Sequence, residues 1–202
     1  MKRLNQIKNK NKNKTNDPTS IFVKEILKFN KAHNIVGRLS EEEIVLSDIL
    51  DCETMLDHIN PSQKVLDIGS GAGLPGLIIA INQSKAQITM SEKNKKKAYF
   101  IRKTIRTLQL KNATIIDKAI TPTLLTQNKF DVITARALAT APKIINMAQH
   151  LLNKGGKFLL MKGSIEKINE EVAQLDNNKY SYTIHKVNTP NKNRHILEIN
   201  QT

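Results

Sequence analysis

The stretch Lys64-Val65-Leu66-Asp67-Ile68-Gly69-Ser70-Gly71-Ala72-Gly73-Leu74-Pro75-Gly76 constrains this chain more than any other. Val65, Leu66 and Ile68 form an apolar, β-branched-rich strand, and the glycines after it give a tight turn where a ligand can approach the backbone closely. Residues 75–83 then read as a helix. From Lys64 onward the same alternation continues, with strands predicted at 64–68, 86–91, 113–118, 130–134 and 157–161. Helices fall between them at 75–83, 93–109, 140–152 and 164–175. Strands alternating with helices imply a mostly parallel sheet with helices on both faces. The tail differs, because 181–187 and 194–199 are two strands joined by the turn-rich Asn188-Thr189-Pro190-Asn191-Lys192-Asn193, which predicts a closing antiparallel hairpin and a sheet of seven strands.

Ahead of this core, Asp17-Pro18 is an N-cap with proline at the first helical position. Phe22, Ile26 and Phe29 recur behind it at helical spacing. Ser40-Glu41-Glu42-Glu43 opens a second helix with a capping-box pattern, running through Ile44, Ile49, Met55 and Leu56 toward Pro61. The chain therefore divides into a basic arm at 1–16, expected to be disordered, and a single domain at 17–202. Within that domain a helical cap (17–60) precedes the α/β core (61–202). At 202 residues the chain is long enough for one sizeable core. No apolar run approaches the roughly 20 residues of a membrane span, so no membrane partner is expected. The single cysteine, Cys52, excludes an internal disulfide and fits a reducing compartment. The Lys/Asn-rich start lacks the apolar stretch of a secretory signal, so the expected location is the cytoplasm.

The formal net charge is +14. Six of these charges (Lys2, Arg3, Lys8, Lys10, Lys12 and Lys14) lie in the arm, leaving a body that is still basic. An excess of this size points to a polyanionic partner, of which nucleic acid is the commonest. On the helix after Glu92, Lys95, Arg102 and Arg106 share one face, which is either solvated or set against RNA phosphates. His33, His58, His150, His185 and His195 show no metal-ligand spacing and no tie to a carboxylate pattern. They read as structural or solvated, and no metal is expected.

Gly71, Gly73 and Gly76 satisfy G-x-G-x-x-G, which alone suggests a dinucleotide. Asp67, two residues before Gly69, the first glycine of the turn, argues against a pyrophosphate and for a ligand carrying an ammonium and a sulfonium. The loop resembles the h-h-D-h-G-x-G-x-G loop of class I methyltransferases, which bind S-adenosylmethionine (SAM). Glu92, at the end of the second strand and 19 residues after Gly73, matches an acid that accepts bonds from ribose hydroxyls. It equally opens the next helix, where it complements the dipole. The fourth strand delivers Ala135-Arg136-Ala137 where amine methyltransferases carry a Pro-Pro-aromatic motif, and no Pro-Cys supplies the nucleophile of a cytosine-C5 enzyme.

Four segments together resemble the ribosomal RNA small subunit methyltransferase G family, also called glucose-inhibited division protein B. They are Asp67 through Gly76, Glu92 with Asn94-Lys95-Lys96-Lys97, Thr134-Ala135-Arg136-Ala137, and Met161-Lys162-Gly163. Phe29-Asn30-Lys31-Ala32-His33-Asn34-Ile35-Val36 is similar to the family's W-N-x-x-x-N-L segment, with Phe29 in place of Trp. The resemblance spans about residues 20–200. It implies a Rossmann-like class I SAM-dependent methyltransferase that modifies N7 of a guanosine in the 530 loop of 16S rRNA, with the 30S subunit as partner; a monomer is expected. It also implies that SAM is contacted by Gly69, Leu74, Ile120, Thr121 and Arg136, beside the expected cofactor contacts at Gly71, Gly73 and Glu92 read from the loop and the strand end. The chain departs from the family at Ala119, usually Arg, at Thr121, usually an acid, and in Ser47-Asp48-Ile49-Leu50-Asp51-Cys52 of the cap. Arg136 is the expected orienter, toward an RNA phosphate, guanine O6 or the SAM carboxylate, and no residue is assigned as acid or base. Two alternatives remain open at this point: a methyltransferase for another RNA or a small molecule, and a non-catalytic RNA-binding module of the same fold.

Overall fold

The computed structural model describes residues 17–124, 128–189 and 193–202. The basic arm at 1–16 and residues 190–192 of the expected tail turn lie outside the described residues. The chain opens with α1 (Pro18–His33), capped by the Asp17 carboxylate, which accepts from Ser20 N at 3.3 Å. Asn34 ends it in a left-handed conformation, φ 45°. The Asn30 side chain then folds the following segment back on the helix. It donates to the carbonyls of Val36 and Arg38 at 2.9 and 3.0 Å and accepts from Val36 N at 3.1 Å.

The second helical stretch is not one regular helix. α2 (Glu41–Ile44), capped by Ser40, widens into a π-helical turn (Val45–Ile49), continues as α3 (Leu50–Glu53) and tightens into a 3₁₀ turn (Thr54–His58). π-turns of this kind recur at functional sites. This one brings Asp48 and Asp51 inward, both buried.

Seven strands form one sheet: β1 (Lys64–Ile68), β2 (Gln87–Ser91), β3 (Ala113–Ile116), β4 (Phe130–Arg136), β5 (Leu152–Lys162), β6 (Tyr180–Lys186) and β7 (His195–Gln201). Their order is β3-β2-β1-β4-β5-β7-β6. The first five are parallel, β7 runs antiparallel to β5, and β6 pairs antiparallel with β7. The strand order reverses between β1 and β4, so the crevice at their carboxyl ends is where such a sheet binds ligands. The helices are α4 (Gly76–Asn82), α5 (Lys95–Thr107), α6 (Ala141–Ala148) and α7 (Ile165–Val172).

The sheet is buried on both sides, and its side chains divide by strand alternation. Val65, Ile88, Val132, Leu159 and Ile196 pack with the cap, α4 and α5, whereas Leu66, Ile133, Phe158, Leu160 and Leu197 pack with α6 and α7. Phe22 of α1 is fully buried, with its ring centroid 6.4 Å from that of Phe100, and Phe29 lies 5.0 Å from the same ring. Truncating a buried Phe costs about 3–5 kcal/mol, so this aromatic cluster fixes the cap to α5.

The fold matches the expected class, with adjusted boundaries. β4 extends to Arg136, which makes that arginine the last residue of the strand. β5 begins at Leu152 rather than 157, because Leu152 pairs with Phe130 and the chain bulges before Lys157 rejoins at Val132. The helix expected at 140–152 ends at Ala148 and finishes as a 3₁₀ turn.

Candidate active site

The turn after β1 is closed by its neighbours. The Ser91 carbonyl, at the end of β2, accepts from both Gly69 N and Ser70 N at 2.8 and 3.0 Å. Gly71 has φ +58°, a left-handed backbone, and its N–H is held by a Glu92 carboxylate oxygen at 2.9 Å. The other Glu92 oxygen accepts from Asn94 N at 2.7 Å. Glu92 is thus a buried brace between the glycine turn and the start of α5. Each of its oxygens keeps a second lone-pair direction.

Asp67 does not face a ligand, contrary to the sequence-based expectation. Strand alternation turns its side chain to the same side as Val65, under the N-terminus of α4. It is fully buried, accepting from the Thr134 hydroxyl at 3.0 Å and from Gly76 N at 3.1 Å. Burial pushes its carboxyl up to about 6, against the opposing hydrogen bonds of Ser70, Thr134 and Gly76. Gly76 has to lack a side chain here, since a Cβ would stand 2.6 Å from Met90 Cγ and 2.9 Å from Asp67 Oδ2.

The end of β3 closes on the same crevice. Glu92 N donates to the Ile116 carbonyl at 3.0 Å and Ser91 Oγ to the Lys118 carbonyl at 2.6 Å. Ile120 is buried in the core beneath α6, so its side chain is a packing element, while Thr121 is exposed and paired with Thr123 at 3.3 Å. Leu74 is buried with the cap-side core. At Leu74 and Ile120 only the backbone is offered to a ligand in the crevice, whereas Thr121 also presents its hydroxyl.

Arg136 leaves β4 toward the cap. Its guanidinium is paired with Asp48 and lies 3.8 Å from Cys52 Sγ. Burial pushes the Cys52 thiol up to about 12, so it is neutral and no nucleophile. Two further arginines join this centre. Arg38, whose segment Asn30 folds into place, lies 3.4 Å from Asp48, and Arg194, just before β7, lies 2.9 Å from Asp51. Three guanidinium groups thus meet two carboxylates, leaving a net positive centre.

These arginines line a cavity of about 620 Å³ with Leu138, Met161 and Lys162. The wall between β4 and α6 is fixed by Lys162, which donates to the Ala139 carbonyl at 2.9 Å and to Glu171 at 2.7 Å, while Glu171 also accepts from Ala141 N at 2.6 Å. Leu138 lies over Gly69, where a Cβ would come within 2.7 Å of it, so the cavity and the glycine turn share a border. Of the basic face on α5, Arg102 is paired with Asp117 at 3.5 Å, whereas Lys95 and Arg106 are exposed.

An open sheet of this order, with a glycine turn braced by an acid at the switch point, defines a class I SAM-dependent methyltransferase. The chain belongs to the rRNA small subunit methyltransferase G (GidB) family, whose model matches residues 15–198. It is 36% identical over 176 residues to ribosomal RNA small subunit methyltransferase G of Brachyspira hyodysenteriae, covering 86% of this chain and 85% of that protein. It is 33% identical over 182 residues to the protein of the same name from a Psychrobacter species, covering 90% and 80%. The fold is similar to that of a SAM-dependent methyltransferase from Aquifex aeolicus, with a TM-score of 0.65 at 15% identity over 87% of this chain and 97% of that one.

Sequence reasoning locates the turn, Glu92 and Arg136 but misses Arg38 and Arg194 as parts of the site. Asp48 and Asp51, three apart on one helical face, are the available signal.

Proposed function

We infer that this protein transfers a methyl group from SAM to N7 of a guanine in 16S rRNA, within the small ribosomal subunit. The observation that carries this reading is an arginine-lined cavity bordering the glycine turn, in a chain that belongs to an rRNA methyltransferase family. The residues present fit SAM. The space where a Gly71 Cβ would stand holds nothing nearer than Gly69 O at 3.9 Å, and Glu92 retains acceptor capacity beside it. Gly69, Gly71, Gly73 and Leu74 would hold it through backbone, Glu92 through its carboxylate, and Ile120 and Thr121 through the chain after β3. Bound there, SAM supplies an electrophilic methyl group on a sulfonium.

The chain's own task is placement. Guanine N7 has an in-plane lone pair and no proton, so the site needs no general base. Lys162, held by Glu171, stiffens one wall, and Arg136, held by Asp48, stiffens the other. Such preorganisation supplies several kcal/mol of a transfer barrier. Arg38, Arg136 and Arg194 are the groups suited to phosphate or guanine O6, since planar guanidinium forks bind both in two-point fashion.

The same reading has the protein act in the cytoplasm, where ribosomal RNA is the substrate, and as a monomer. No described helix is long and apolar enough to cross a membrane. The monomeric state is supported by Leu39, Tyr99, Leu138, Ile165 and Tyr182, exposed large apolar side chains that are spread over separate elements. The test uses ribosomes from cells lacking this protein. Borohydride and aniline cleave RNA at N7-methylguanosine, and the purified protein with SAM should restore one cleavage in 16S rRNA. Methylation of an amine, a ribose hydroxyl or a protein residue instead would refute the reading.

A further inference from the structure

Outside the lining of the arginine cavity, three side chains distant in sequence converge. His58 ends the 3₁₀ turn of the cap, His185 lies on β6 and Glu198 on β7. His185 Nε2 is 3.4 Å from Glu198 Oε2, and His58 Nδ1 is 3.9 Å from the same oxygen. The two imidazole centroids are 4.4 Å apart, and the candidate ligand atoms all lie within 4.8 Å of one another. His185 Nε2 is shut off from solvent with no hydrogen-bond partner, and a buried unsatisfied nitrogen calls for an explanation.

The geometry points to a transition-metal site at His58, His185 and Glu198, suited to Zn²⁺ and separate from the methyl-transfer cavity. Two imidazoles and one carboxylate are a ligand set that Zn²⁺ takes with a fourth, open position. At bond lengths of about 2.0–2.2 Å, tetrahedral ligand atoms stand roughly 3.3–3.5 Å apart. The shorter separation here already matches, and the others close by rotation of half-buried rings.

Lys157 opposes the ion, since its ammonium lies 3.2 Å from Glu198 Oε2. Asp57, beside His58, acts in the opposite sense. Metal binding therefore displaces the Lys157 contact, leaving that side chain to solvent. The ion would clamp the β6–β7 hairpin to the cap, a structural role that requires no part in methyl transfer.

The test is calorimetric titration of the full-length protein with Zn²⁺, with Mg²⁺ as the control, together with the visible absorption of Co²⁺ as a tetrahedral reporter. One equivalent of Zn²⁺ should bind at micromolar concentration, Mg²⁺ should not, and Co²⁺ should give the intense bands of a tetrahedral ion. His185→Ala and Glu198→Gln should each weaken Zn²⁺ at least tenfold, while His33→Ala, on the exposed end of α1, should not. Lys157→Met should tighten binding about tenfold, a gain that misfolding cannot imitate. No binding at millimolar Zn²⁺, or an affinity indifferent to His185, Glu198 and Lys157, would overturn the assignment.

Discussion

Replacing Asp67 by asparagine tests the electrostatics beneath the glycine turn. The wild-type carboxyl is fully buried, and its value is pushed from the ordinary 3.8 to about 6. A shift of about two units corresponds to roughly 3 kcal/mol. The folded protein binds this proton more tightly than the unfolded chain does. Stability from this group is therefore fully present below pH about 4, falls as pH rises toward about 6, and is level above that. The Asp67→Asn variant has no such titration. Its new amide oxygen can accept from Gly76 N, and the Thr134 hydroxyl can turn to accept from the amide nitrogen, so both buried partners stay satisfied. The difference in unfolding free energy between D67N and wild type should thus shift by about 3 kcal/mol in favour of the variant between pH 3 and pH 7. For a chain of this size that is roughly 6–12 °C in Tm. Urea unfolding of both proteins across that range isolates the effect, because every other titrating group is common to the two. Parallel pH profiles would refute the reasoning and mean that Asp67 titrates near its ordinary value.

Three further outcomes are expected. Glu92→Ala removes the acceptor of Gly71 N and Asn94 N, hydrogen bonds to a charged group worth about 1.5–3 kcal/mol each, and SAM affinity by calorimetry should fall at least tenfold. Arg136→Ala should lower methylation of 30S particles about 10–100-fold at saturating SAM if the arginine places RNA, whereas rescue by added SAM would assign it to the cofactor instead. Deleting residues 1–16 removes six cations, so the slope of log affinity for RNA against log salt should flatten by up to about four units at about 0.7 per contact. The melting temperature of that truncated protein should barely move, and a large drop would show that the arm packs on the body.

What the sequence discloses is local. The glycine turn and Glu92 are legible because a strand, a left-handed turn and an acid at the next strand's end lie within one βαβ unit. Arg136 is found through the family pattern around it. The orientation of Asp67 is easily misread from its place in the motif, although period-two alternation already sets it with Val65, on the face of the sheet covered by the cap, α4 and α5. The π-helical turn at Val45–Ile49 is illegible, since a capping box followed by apolar residues reads the same whether the turns stay regular or widen. Arg38 and Arg194 escape notice because nothing local marks them. Their significance arises only when Asp48 and Asp51 arrive from another part of the chain. The histidine–glutamate cluster is hidden in the same way, its members drawn from the cap and from two paired strands.

The arginine centre also sets an order of assembly. Asp48 and Arg136 are 88 residues apart in the chain, and Asp51 and Arg194 are 143 apart. Contacts of such separation carry the largest loop-closure entropy, and folds that depend on them form late. Arg194 immediately precedes β7, and β7 is held by antiparallel pairing with β5. The centre is therefore complete only when that edge of the sheet has formed, and a chain whose sheet is still unfinished presents its two buried carboxylates without their full complement of guanidinium partners.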